Sequence, residues 1–186
     1  MPTITLNAEE FSQRGQSISN LLRPISRVSS GPAYQIKQSL SEAIIGTHDG
    51  SPSISGYRDW RFSTGHSGIS AMYFEIWVPE DAHAELWYLH NAYLTIFRRP
   101  YPRAEENELL SLHCDPEELD VEDDSKGIYK RGPHLHIKAA DEPIPKAHLA
   151  LARGHLSQVL SSSAQLTEAL DWSIQMIKDE ILDRIR

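Results

Sequence analysis

Met72, Phe74, Ile76 and Val78 alternate with Tyr73, Glu75 and Trp77, the period-two pattern of a half-buried strand. Pro79, Glu80 and Asp81 turn the chain, and the segment from Ala84 to Phe97 is apolar on both of its alternating faces. A central strand covered on both sides has that pattern, and the short connection predicts an antiparallel hairpin. A third strand is predicted over Asn107–Cys114. A fourth runs from Tyr129 to Ala140, launched by the Gly132-Pro133 turn, and a fifth from Ala147 to Ala152.

The pattern changes at both ends of the chain. Leu166, Leu170, Ile174, Ile177, Ile181 and Ile185 recur at spacings of three and four after Ser162-x-x-Gln165, predicting a capped amphipathic helix with one apolar stripe. At the other end, MPTITL reads as a short edge strand. Asn7 with Glu10 predicts a capping box and a helix from Ala8 carrying Phe11, Ile18, Leu21 and Leu22. Ile36, Leu40, Ile44 and Ile45 predict a second helix over Ala33–Ile45. The expected architecture is therefore one α+β domain over residues 1–186, with helices in 1–45 and a long loop at 46–68. A mostly antiparallel sheet of about five strands follows in 69–152, and a C-terminal amphipathic helix in 155–186 packs on it. Tyr57, Trp60 and Phe62 would pin the long loop to the body of the protein, and His48 and His66 are read there as turn residues.

Composition narrows the function classes. A hydrophobic fraction of 40% supports a core. The net charge of −8 disfavours general duplex DNA binding, because an acidic surface repels phosphate backbones. No apolar run reaches the roughly 18 residues that suggest a membrane span, and the first residues lack the charged-then-apolar layout of a secretory leader. The expectation is a cytoplasmic protein without membrane association, and the single cysteine, Cys114, agrees with it. Basic side chains do cluster locally, at Arg98, Arg99 and Arg103 and at Lys126, Lys130, Arg131 and Lys138. The acidic run from Glu117 to Asp124 lacks the glycine and closing glutamate of a calcium loop and is read as a solvated hairpin loop.

The candidate chemistry is concentrated on the fourth strand. Alternation puts Leu135, Ile137 and Ala139 on one face and His134, His136 and Lys138 on the other. His113, Cys114 and Asp115 lie upstream, and His148 and His155 downstream. Cys114 cannot use its neighbour His113 as a base along one strand, because adjacent side chains point to opposite faces. Three readings follow. In the leading one the histidines are structural, and the protein binds a partner protein through its C-terminal helix or a sheet edge, with no catalysis and no cofactor. In the alternative, His134 and His136 are the acid–base pair of a phosphodiesterase or ribonuclease, with Lys138 stabilising charge, Tyr129 donating a proton, and RNA stacking on Trp60, Tyr57 or Tyr101. In the third, a metal-dependent hydrolase, zinc or another divalent metal is held by His134, His136, His148 and His113.

The Pro133-His134-x-His136 strand, followed by a strand and a helix, resembles small bacterial proteins associated with toxin–antitoxin and defence loci. That resemblance implies a regulatory or accessory role in such a context and assigns no residue a function. Gly65-His66-Ser67-Gly68 has neither the spacing and lysine of a phosphate-cradling loop nor the spacing of a hydrolase nucleophile elbow.

Overall fold

A computed structural model describes residues 4–50, 60–80, 85–99, 103, 105–116, 132–137, 147–150 and 156–185, the side chains of 147–150 and 156 excepted. Among these residues nine strands form one sheet: β1 (Thr5–Asn7), β2 (Ala33–Gln38), β3 (Ala43–His48), β4 (Phe62–Ser63), β5 (Ile69–Pro79), β6 (Leu86–Arg98), β7 (Asn107–Cys114), β8 (His134–Ile137) and β9 (Ala147–Ala150). The strand order is β2-β3-β5-β6-β7-β8-β9, with β1 on β6 and β4 on β5, and each of these pairings is antiparallel. The helices are α1 (Glu10–Leu22), a short α2 (Leu156–Val159) and α3 (Ser163–Glu180). The fold is α+β with a mostly antiparallel sheet, larger than the five strands expected. No described helix is long and apolar enough to cross a membrane.

The capping residues make the predicted hydrogen bonds, with α1 starting at Glu10 rather than at Ala8. Asn7 Oδ1 accepts from the amides of Glu9 and Glu10 at 3.0 and 3.1 Å, and the Asn7 amide donates to Glu10 Oε2 at 2.8 Å. Ser162 caps α3, its Oγ accepting from the Gln165 amide at 3.2 Å. The apolar stripe of α3, Leu166, Leu170, Ile174 and Ile177, is buried in the main core with Phe11, Ile18 and Leu22 of α1.

The helix expected over Ala33–Ile45 is a β-hairpin instead. Ser39 builds its turn, with Oγ accepting from the amides of Ser41 and Glu42 at 3.3 and 3.1 Å. The 36–40–44 spacing fits a helix, but the first helix and the sheet already use the surrounding positions, and β3 is buried along its whole length between β2 and β5. There both edges of its backbone are hydrogen-bonded, which a lone helix stripe could not match in that place. Within 1–45 the first helix stands as α1, and the helical reading of 33–45 and the loop reading of 46–48 and 62–63 are corrected to strands.

β5 turns its faces the unexpected way. Ile69, Ala71, Tyr73 and Trp77 enter the main core, whereas Phe74, with Met72 and Ile76 against it, belongs to a smaller cluster with Ile44 and Trp60 on the opposite face. Glu75 therefore points into the main core and is 0% exposed. It is tolerated because four donor groups meet it. Arg14 of α1 donates from Nε to both carboxylate oxygens at 3.2 and 3.0 Å and from Nη2 to Oε1 at 2.5 Å. Tyr73 Oη donates to Oε1 at 2.7 Å and Trp77 Nε1 to Oε2 at 3.1 Å. Burial would lower the pKa of the Arg14 guanidinium, but the adjacent carboxylate outweighs it and the net shift is upward.

Candidate metal centre

The sheet register assembles the site. β7 pairs with β8 so that His113 lies opposite His134 and Ser111 opposite His136. β6 pairs with β7 so that Tyr93 lies opposite His113 and Thr95 opposite Ser111. Paired antiparallel positions share a face. One row thus reads Tyr93, His113, His134, and the next reads Thr95, Ser111, His136. Leu112, Cys114 and Leu135 alternate with them and enter the main core.

The three imidazoles converge. One ring nitrogen from each of His113, His134 and His136 lies within 4.8 Å of the others. Ring centroids are 4.1 Å apart for His113 and His136, 4.8 Å for His134 and His136, and 5.7 Å for His113 and His134. His134 is 1% exposed, and the other two are half-buried.

Neighbouring groups orient the rings. His134 Nδ1 lies 2.9 Å from the Gly132 carbonyl, which can only accept, so Nδ1 carries the proton and Nε2 presents the lone pair. His113 Nε2 lies 2.8 Å from Ser111 Oγ, itself 3.0 Å from Thr95 Oγ1. Tyr93 packs on His113 with centroids 4.3 Å apart, and its hydroxyl donates to the buried Asp115 at 2.6 Å. Ala84–Phe97 reads as apolar on both faces, with Tyr93 on one of them, but Tyr93, Thr95 and Ser111 alternate with Leu94, Ile96, Leu110 and Leu112 and form one polar face.

Cys114 faces the other way, as alternation requires. Burial first, then Asp115 and Glu75, push its thiol pKa well up, so it stays protonated. The backbone register sets His148 opposite His136. The side chain of His148 lies outside the described residues, as do Tyr129, Lys138, Arg131, Tyr57, Tyr101, His155 and the acidic 117–124 run. Of the expected turn histidines, His48 Nδ1 accepts from the Gly50 amide at 2.9 Å and His66 Nε2 meets Asp183 at 2.9 Å.

Fold and site together define an α+β protein with a three-histidine cluster on one sheet face. No protein-family model matches the chain, and comparison with curated proteins and with solved structures gives no match.

Proposed function

We propose that the protein is a divalent-metal protein with His113, His134 and His136 as ligands, and that it works as a metal-dependent hydrolase. The convergence of three ring nitrogens within 4.8 Å carries this reading. Tetrahedral zinc with Zn–N bonds of about 2.0–2.1 Å holds its ligand atoms about 3.4 Å apart, so the rings need to approach by only on the order of 1 Å. Three imidazoles would leave a fourth position for water, whose pKa falls to about 7 on zinc. The Gly132 carbonyl supplies the outer hydrogen bond that holds His134 in one tautomer, and Ser111 orients the His113 ring.

The acid–base phosphodiesterase reading uses two histidines in opposite protonation states. A third ring as close as the other two favours a ligand set, since metal binding employs all three as neutral imidazoles while protonation would set like charges against one another. The partner-binding reading rests on the C-terminal helix or a sheet edge, and the apolar stripe of that helix, α3, is buried in the protein's own core.

The test is zinc content after dialysis, with the cobalt(II) spectrum as a report on geometry. About one metal per chain is expected, with His113→Ala, His134→Ala and His136→Ala each weakening binding about 100-fold and His48→Ala leaving it unchanged. Hydrolysis of p-nitrophenyl esters and phosphodiesters is then compared with and without metal. Stoichiometric zinc retained by the triple alanine variant would defeat the assignment. Zinc lost by the variants with no metal-dependent hydrolysis would leave the metal centre and remove the hydrolase.

A further inference from the structure

At the far end of β5, β6 and β7 from the histidines lies a second site. Ile69 pairs there with Arg98, and Arg98 with Asn107. A cleft of about 470 Å³ opens around the β4–β5 turn, with Arg27, His66, Ser67, Gly68, Arg99 and Glu106 on its walls. We infer that this cleft is a binding site for a phosphate-class oxyanion.

The turn itself supplies donors. Thr64 and Ile69 close it: the Thr64 amide donates to the Ile69 carbonyl at 3.3 Å, and the Ile69 amide to the His66 carbonyl at 3.2 Å. The His66 amide donates to Thr64 Oγ1 at 3.2 Å and the Gly65 amide to the Ile25 carbonyl at 3.2 Å. That leaves the consecutive amides of Ser67 and Gly68, both exposed, with no hydrogen bond among the described residues. Gly68 has φ 71°, a left-handed backbone suited to glycine, in a turn of the class from which anion nests are built.

The charge around the turn is positive, although the chain as a whole carries −8. The Arg99 amide donates to the Gly68 carbonyl at 2.8 Å, which clamps the end of β6 to the turn and sets Arg99 beside it. Arg27 enters from the chain after α1, is exposed and has no ion pair among the described residues. Glu106, the acid on the cleft wall, is bound by Arg61 and by Arg99 (3.2 Å for the latter), so its charge is already met.

His66 forms part of the cleft wall. Its Nε2 faces the Asp183 carboxylate, which cannot donate, so the proton sits on Nε2. Nδ1 is buried and makes no hydrogen bond. Two arginines and two amides that make no hydrogen bond among the described residues are a donor set that phosphate and phosphomonoesters share.

The experiment titrates inorganic phosphate, and separately adenosine monophosphate, into the metal-stripped full chain by calorimetry and by amide NMR. A His113→Ala/His136→Ala background keeps anion binding at the histidine centre out of the signal. Binding with shifts at the Ser67 and Gly68 amides is expected, and Arg27→Ala or Arg99→Ala should each weaken it about tenfold. Both arginines are surface residues, so the melting temperatures of these variants should match the parent. Tighter binding of the nucleotide would identify a phosphomonoester as the ligand, and equal binding the free ion; either outcome supports the oxyanion site. Absence of binding, binding without shifts at Ser67 and Gly68, or full affinity in Arg27→Ala/Arg99→Ala would overturn it.

Discussion

Replacing Arg14 with methionine tests the most exacting arrangement in the core. Glu75 is 0% exposed, and the Arg14 side chain is the cation that meets it, at 4% exposure. Arg14→Met keeps much of the apolar stem but leaves the carboxylate facing only the neutral donors Tyr73 and Trp77. Thr167, which also accepts from Arg14 Nη1, is not orphaned, because its hydroxyl still donates to the Ser163 carbonyl at 2.7 Å. The loss is therefore that of an uncompensated buried charge, about 3–5 kcal/mol. With an unfolding entropy of about 2.1 cal/mol/K per residue, the 186-residue chain changes stability by about 0.4 kcal/mol per degree near its midpoint. The variant should melt about 8–13 °C below the parent. Arg14→Met/Glu75→Gln removes both charges and should recover most of that loss, since a buried pair exchanged for uncharged groups is often close to neutral. Scanning calorimetry of the parent, the two single variants and the double variant closes the cycle. An Arg14→Met melting point within about 2 °C of the parent, or a double variant worse than either single one, would refute the argument.

Gly46→Ala should be destabilising by about 1–3 kcal/mol or more, because a Cβ there would lie 1.5 Å from Trp60 Cε3 and Trp60 is fully buried; an unchanged urea midpoint would show that Trp60 does not cap β3. Cys114 should resist a disulfide reagent in the folded protein at mildly alkaline pH and react only on unfolding, as its buried, protonated state requires; fast native-state reaction would contradict that burial. His134→Ala should cost about 1–3 kcal/mol in metal-free protein through loss of the Gly132 contact, while a chelator should lower the melting point of the metal-loaded parent alone. Asp183 has its pKa held below the usual carboxylate value by hydrogen bonds from Lys178 and then His66. A depressed folded pKa gives stability that is present above the unfolded value and lost as pH falls through the folded one. Asp183→Asn should therefore remove that part of the acid-limb stability change, and identical pH–stability curves for the two proteins would count against the contact.

Local patterns in the chain decided much of what is seen. Asn7 with Glu10 and Ser162 with Gln165 mark helix starts because a cap is made by residues within one turn of each other. Alternation alone placed Asn107–Cys114 as a strand and separated His134 and His136 from Leu135, because strand side chains flip with every residue. Other features depended on partners distant in sequence. Ile36, Leu40, Ile44 and Ile45 are spaced as on a helix, but the place of β3 between β2 and β5 decided for a hairpin. Glu75 reads as the polar face of its strand, yet it enters the core because Arg14, 61 positions earlier, supplies the compensating charge. The third member of the histidine cluster is likewise a matter of pairing. His113 reaches His134 through the antiparallel register of β7 and β8. Side-chain direction is a local property of the chain, whereas which strands lie side by side, and in what register, is settled only when distant segments bury their faces together.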